Sequence, residues 1–530
     1  MPGRSRITRR QVLAGGAAAG VLVAFGGDKA LARGLPRLPR LASNPFTLGV
    51  ASGDPLPNGV VLWTRLAPDP LTADGGLAGA GNLEVGWEVA RDESFRQVVK
   101  RGRAVAPADM AHSVHVDVRG LEPGREYRYR FTAGDWATPV ARTRTAPAPN
   151  GALDRMTFAY STCQKWEEGF YNAYAHMAEE DLDLVVFLGD YTYEYGIDPA
   201  TGGVRGVQLP AGYADETVTL DQFRMRHALY KTDADLQRAH ARFPFVVTWD
   251  DHEVDNNYTG EIPEDGTPPE VFRQRRIAGY QAFYEHLPVR PPALPDRHGR
   301  SKLYRTIPWG PLASFIVIDT RQYRSDHPLG DGEHPYGPAS FDPSQTVLGA
   351  QQERWVRKEF GNSRAQWNVL ANQVLFSALA HEPGPNPRYW QDSWDGYPVA
   401  RRRLMDDMVG TGLRNPFVIT GDWHSTFVND VHPDFRDPAS PVVATEILAP
   451  AVTSNGGSPV YGPYYGPMIQ FNPHIKFFEG DRKGYVRCAV DRQLLQADLR
   501  YVERVGVHGA PIETFASFVV EDGHPGALPA

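Results

Sequence analysis

Six apolar runs in this 530-residue chain stop at a residue able to hold a metal ion or a phosphate group. These are Cys163 of STCQ, Asp190 of GDYTYE, Asp251 of WDDHE, Asp319 of IDTR, Asn372 of ANQ and Asp422 of GDWH. One Asp after a strand is ordinary turn or helix-cap chemistry. Six such residues in succession point to a cluster, because ligands in open α/β sheets gather at the carboxyl ends of the strands. Sorted by donor type, Cys163, Asp190, Tyr193 and His424 bring thiolate, carboxylate, phenolate and imidazole, a set suited to a strongly polarising transition metal such as Fe3+. Asp190, Asp251, Asn372 and Asp422 offer oxygen alone, which suits Ca2+, or Mg2+ or Mn2+, with Asp190 shared between two ions. Two adjacent cations can hold a hydroxide, clamp phosphoryl oxygens and steady a leaving group. Each residue also has an ordinary reading: Cys163 as an inert thiol or a disulfide with Cys488, Tyr193 as a core aromatic of YTYEY, and His252 and His424 as satisfied core histidines. Those readings fail jointly, because carboxylates do not converge on one spot without cations to offset their repulsion.

The elements that must position these groups show two different periods. From Phe46 to about Thr145, short alternating runs such as LEVGWEVA and EYRYRFTA are separated by turn residues, the spacing of a small antiparallel sandwich. The piece HVDVRGLEPGREYRYRF resembles the late strands of fibronectin type III domains, with a Leu-x-Pro-Gly turn before an inward Tyr127. A docking domain is expected there, in preference to a carbohydrate- or wall-binding module. TRTAPAPNGALDR reads as a linker. Beyond it, near-continuous apolar runs alternate with helical segments such as Gly169 to Glu180 and Glu270 to His286, which indicates buried strands of an α/β core. Alternation returns from Gly484 to Val520 and completes a sheet. The expected domains are therefore a β-sandwich over residues 33–145 and a catalytic domain over residues 155–522.

Arg9-Arg10, the apolar stretch Val12 to Phe25 and the exit Ala30-Leu31-Ala32 read as a signal peptide of the twin-arginine type, residues 1–32. The expectation is export by the twin-arginine machinery to the periplasm or the medium, with no membrane span retained. Residues 1–32 carry a net charge of +4, so cleavage takes the chain from −8 to −12. Such an acidic protein does not suit a nucleic-acid backbone. With two cysteines, stability comes from buried core and not from a disulfide framework.

STCQ, GDYTYE, WDDHEVDNN, IDTRQYR and TGDWHS, in this order, resemble the PhoD-like alkaline phosphatases of the calcineurin-like metallophosphoesterase group. The resemblance runs from about Phe46 to Val520. It implies an α/β metallophosphoesterase sandwich of two packed sheets flanked by helices, behind an Ig- or fibronectin III-like N-terminal domain. It further implies Cys163, Asp190, Tyr193 and His424 as iron ligands and Asp190, Asp251, Asn372 and Asp422 as calcium ligands. His252 matches a histidine beside the leaving group, and Arg321 is the first choice for binding phosphate oxygens, with Arg273 and Arg276 behind it. The implied reaction is in-line attack of metal-activated hydroxide on a phosphate ester, without a phosphoenzyme; apart from the resemblance, a monomer is expected. Three alternatives are a phospholipase D-type phosphodiesterase on the same centre, a redox metalloprotein and a non-catalytic wall-binding protein. Some family members cover the site with a C-terminal helix, which the ending GHPGALPA does not lead us to expect here.

Overall fold

Alternation of apolar and polar residues drives the N-terminal part of the chain into strands that each bury one face. The computed structural model describes residues 43–437 and 439–530, so the expected signal segment lies outside the described residues. The first eight strands are β1 (Val50–Leu56), β2 (Gly59–Arg65), β3 (Leu83–Ala90), β4 (Val98–Ala106), β5 (Ser113–Arg119), β6 (Glu126–Ala133), β7 (Trp136–Ala137) and β8 (Ala141–Arg144). One sheet runs β4-β3-β6-β7 with β8 on β6, and it faces β1, β2 and β5. Val60, Leu62 and Val116 on one side meet Val85, Trp87, Tyr129 and Phe131 on the other. Tyr127 is buried, and its hydroxyl accepts the Glu122 amide at 2.9 Å.

The remaining strands are β9 (Arg155–Ser161), β10 (Leu184–Leu188), β11 (Pro244–Thr248), β12 (Arg305–Trp309), β13 (Ala313–Val317), β14 (Glu333–Pro335), β15 (Trp367–Ala371), β16 (Arg388–Trp390), β17 (Pro416–Thr420), β18 (Thr426–Val431), β19 (Ala444–Leu448), β20 (Ile475–Glu479), β21 (Lys483–Asp491), β22 (Leu494–Val502), β23 (Ile512–Glu521) and β24 (His524–Pro529). A ten-stranded sheet runs β24-β23-β22-β21-β9-β10-β11-β1-β2-β5, and a seven-stranded sheet runs β12-β13-β15-β17-β19-β18-β20. β9, β10 and β11 are parallel to one another, as are β13, β15, β17 and β19. Strands such as LVVFL of β10 and ASFIV of β13 are buried along their whole length, which is why they read as unbroken apolar runs.

The two large sheets pack face to face. Phe158 of β9 meets Phe315 of β13 edge-on at 5.0 Å, and the Tyr160 hydroxyl donates to the Ile447 carbonyl of β19 at 3.1 Å. Helices Leu220–Lys231, Ala234–Arg242 and Pro269–His286 supply the core on the outer face of the ten-stranded sheet. Helices Gly349–Asn362 and Pro398–Gly410 do the same for the seven-stranded sheet.

The expected division near residue 150 is crossed by main-chain bonding. β1 pairs with β11 through Ser52–Pro244 and Gly53–Phe245, and Arg305 reaches Asp54 at 2.7 Å. The N-terminal sandwich therefore shares a sheet with the parallel strands and is not a separate body docked beside them. The edge of β11 is satisfied by β1, which removes an unpaired strand edge from the core.

Candidate metal centre

Both sheets aim the carboxyl ends of their parallel strands at one place. Cys163, Asp190 and Asp251 follow β9, β10 and β11; Asp319, Asn372 and Asp422 follow β13, β15 and β17. Close approach there demands glycine. A Cβ on Gly421 would lie 2.5 Å from Thr162 Oγ1, and one on Gly189 would lie 2.5 Å from Asp250 Cβ. The chain turns abruptly at the donors: Cys163, Asp190, Asp422 and His424 have φ of 57°, 60°, 61° and 54°. Left-handed backbone at non-glycine residues is disfavoured and concentrates at functional sites, where surrounding structure holds it.

Ligand atoms of Cys163, Asp190 and His424 all lie within 4.8 Å of one another. The Tyr193 hydroxyl joins them, donating to Asp190 Oδ2 at 2.8 Å and lying 3.1 Å from His424 Nε2. Burial and the nearby Lys483 push His424 down to about 3, so its imidazole is neutral and keeps a lone pair. Burial, and then the negative charge of neighbouring groups, raise Cys163 and Tyr193 well above their usual values; burial and the Asp251 and Asp250 carboxylates do the same for Asp190. Only a cation can hold three such donors as anions in one buried place.

On the oxygen side, ligand atoms of Asp250, Asp251 and Asp422 form a second group within 4.8 Å. Both oxygens of Asp250 are taken by Arg321, at 2.6 and 3.2 Å. Asp251 accepts the Asn257 amide on Oδ2, whereas its buried Oδ1 has no hydrogen-bond partner; Asp190 Oδ1 is orphaned in the same way. Orphaned buried carboxylate oxygens are the pattern a cation site leaves in a bare protein. Asn372 sits at the end of β15, with its carboxamide oxygen accepting from Trp394 Nε1 at 2.9 Å, which leaves one lone pair for a further contact.

His252 forms the wall beside these groups. Its ring lies 4.2 Å from that of Tyr193, and its Nδ1 donates to Glu194 Oε2 at 2.8 Å. Burial works against the charged ring, but Glu194, Asp251 and Asp190 outweigh it and raise His252 well above the ordinary histidine range. Glu194 is the last residue of GDYTYE, and nothing in the sequence shows which histidine it faces.

Arg321 departs from expectation. It is fully buried and spends its guanidinium on Asp250 and on both oxygens of Asp392, at 2.7 and 2.8 Å. Asp392 is held in turn by Arg324 and His327. Four of the five N–H donors of Arg321 are engaged by Asp250 and Asp392, and Nη2 also lies 3.6 Å from Asp251 Oδ2, so its guanidinium is committed to the acidic strand ends. Arg276 donates to the Gly260 carbonyl and Arg273 pairs with Glu261, so neither is free for the site. Asp319 accepts the amides of Arg321 and Gln322 and is a turn cap. Cys163 and Cys488 are both free and buried, which excludes the disulfide reading.

Residues 158–499 match the family model described as PhoD-like phosphatase, and residues 33–147 match the model for its N-terminal domain. This chain belongs to the PhoD-like phosphatase family. It is 47% identical over 491 residues to alkaline phosphatase D of Bacillus subtilis (strain 168), a match that covers 92% of this chain and 83% of that one. A solved structure described as "Structure of PhoD" superposes with a TM-score of 0.88 at 46% identity, covering 93% of each chain. As a PhoD-like phosphatase, the chain is a hydrolase of phosphoric esters. No helix among its described residues is long and apolar enough to cross a membrane.

Proposed function

We propose that this chain is an exported alkaline phosphatase that hydrolyses phosphate esters at an Fe3+ and Ca2+ centre, delivered by the twin-arginine route through residues 1–32. Cys163, Asp190, Tyr193 and His424 would hold iron, and Asp190, Asp251, Asn372 and Asp422 would hold calcium. The observation that carries this reading is the junction at Asp190: one oxygen hydrogen-bonds Tyr193 beside Cys163 and His424, and the other is buried without a partner near Asp251. The facing sheets support the metallophosphoesterase sandwich, and the strands before Arg144 support an Ig- or fibronectin-like domain fused to it.

When bound, the two cations would supply Lewis-acid charge neutralisation and a nucleophilic water at alkaline pH. The rest falls to the chain. Glu194 holds His252 by Nδ1 and so leaves Nε2 to meet the departing oxygen. Arg321 offsets the charge of Asp250 and lies 3.6 Å from Asp251 Oδ2, so one guanidinium serves both neighbouring carboxylates. Burial of the donors excludes water from the reacting groups and strengthens each electrostatic contact.

Metal analysis of the purified protein, with its visible spectrum, tests this directly. Iron, calcium and a tyrosinate-to-iron band are expected, and Asp190→Ala should abolish both the band and hydrolysis of 4-nitrophenyl phosphate. Colourless protein holding zinc alone would overturn the assignment of Cys163 and Tyr193.

A further inference from the structure

The stretch Val452–Gly456 follows β19 and contains no acid, base or thiol, yet it touches three of the four residues assigned to iron. Its backbone lies along the turn after β9. Val452 N donates to the Thr162 carbonyl at 2.9 Å, and the amides of Thr453 and Ser454 each lie 3.3 Å from the Cys163 carbonyl. Ser454 Oγ lies 2.8 Å from that carbonyl and 2.7 Å from the Tyr193 oxygen, so its single proton can serve either. His424 Nδ1 lies within hydrogen-bond distance of Asn455 Oδ1, an oxygen that can only accept, with the Tyr461 hydroxyl as a longer neighbour at 3.4 Å. The loop is itself tied down: Asn455 N donates to Glu168, whose other oxygen pairs with Lys165 at 2.6 Å. Asn455 also has φ 67°, a left-handed conformation that asparagine adopts more readily than most residues.

We infer that Ser454 and Asn455 are positioning residues of the metal centre, Asn455 fixing His424 as the Nδ1–H tautomer and Ser454 donating a hydrogen bond to the Tyr193 oxygen. A histidine that ligates through Nε2 needs its proton on Nδ1, and a carbonyl accepting that proton fixes both tautomer and ring direction. His424 Nε2 then points at Tyr193, 3.1 Å away. The Ser454 hydroxyl lies 2.7 Å from the Tyr193 oxygen as a donor, a contact that would lower the energy of that oxygen's lone pairs when it ligates a metal. The inference rests on the iron reading of the site.

Three variants separate the two. Asn455→Gly removes the acceptor without straining φ 67°. Asn455→Asp keeps an acceptor at the same place, and Ser454→Ala removes only the donor. Asn455→Gly is expected to lose iron to a chelator about 10- to 100-fold more readily than the parent, and Asn455→Asp to restore retention. Ser454→Ala is expected to move the tyrosinate band to longer wavelength, because an unbonded phenolate gives up charge more easily. In the metal-free protein, long-range 15N–1H NMR should place the His424 proton on Nδ1 in the parent and in Asn455→Asp, but mix the tautomers in Asn455→Gly. Should Asn455→Gly fail to fold, Ser454→Ala and the parent's tautomer carry the test. A parent without iron or band would overturn the iron assignment and this inference with it. A parent with both, and variants indistinguishable from it, would overturn this inference alone.

Discussion

Replacing Arg321 by Met tests whether this guanidinium is a strut or a phosphate clamp. Arg321 is completely buried, and among the described residues Asp250 has no other ion-pair partner, whereas Asp392 keeps Arg324 and His327. Burial pushes Asp250 up to about 6 even with Arg321 in place. Removing the cation therefore leaves the buried Asp250 carboxylate uncompensated and takes the 3.6 Å Arg321 contact from Asp251, a loss on the order of 3–5 kcal/mol. The deficit grows with pH, because a carboxyl group whose folded pKa lies above its unfolded value destabilises the fold once it must ionise. Thermal melting of Arg321→Met at pH 6 and pH 9 should show a loss at both values, larger at pH 9. Asp250→Asn in the same chain should recover much of it, since the two residues are in contact and their effects are not additive. KM for 4-nitrophenyl phosphate and inhibition by inorganic phosphate report the clamp. Arg321→Met that melts within about 1 °C of the parent, while KM rises about tenfold or more, would refute the strut.

Glu194→Gln should slow hydrolysis of alkyl phosphates by about 10²-fold and aryl phosphates much less, because only a poor leaving group needs the oriented His252; equal losses across a leaving-group series would remove this role. EGTA should abolish activity and Ca2+ restore it, with retention of full activity counting against the oxygen-donor set. Stability should fall as pH drops below about 6.5, as His227, His240 and His286 are buried beside cations, with burial pushing His227 down to about 3 and the other two well below the usual range. Each stays neutral in the fold and must take up a proton on unfolding, which removes about 1.4 kcal/mol per pH unit per histidine. Melting temperatures from pH 8 to pH 5 check this, and replacing His227, which has no hydrogen-bond partner, by Leu should flatten the profile.

The sequence alone located the strands and most of the strand-end groups that converge, for a physical reason. A strand buried on both faces must be apolar throughout, so the point where it ends and a functional group begins is marked in the letters, as in LVVFLGD and PFVITGD. Ligand chemistry then divided the donors, because Cys163 and Tyr193 differ in kind from Asp422. Contacts between distant segments leave no such mark. Only the tertiary structure showed that β1 joins the edge of β11, that Arg321 is consumed by Asp250 and Asp392, and that Glu194 faces His252. Ser454 and Asn455 were illegible for the same reason: uncharged residues in a Gly- and Ser-containing loop look like any turn until His424 and Tyr193 are brought against them. Local chemistry is written residue by residue, whereas the pairing of an arginine with one carboxylate and not another is decided by packing.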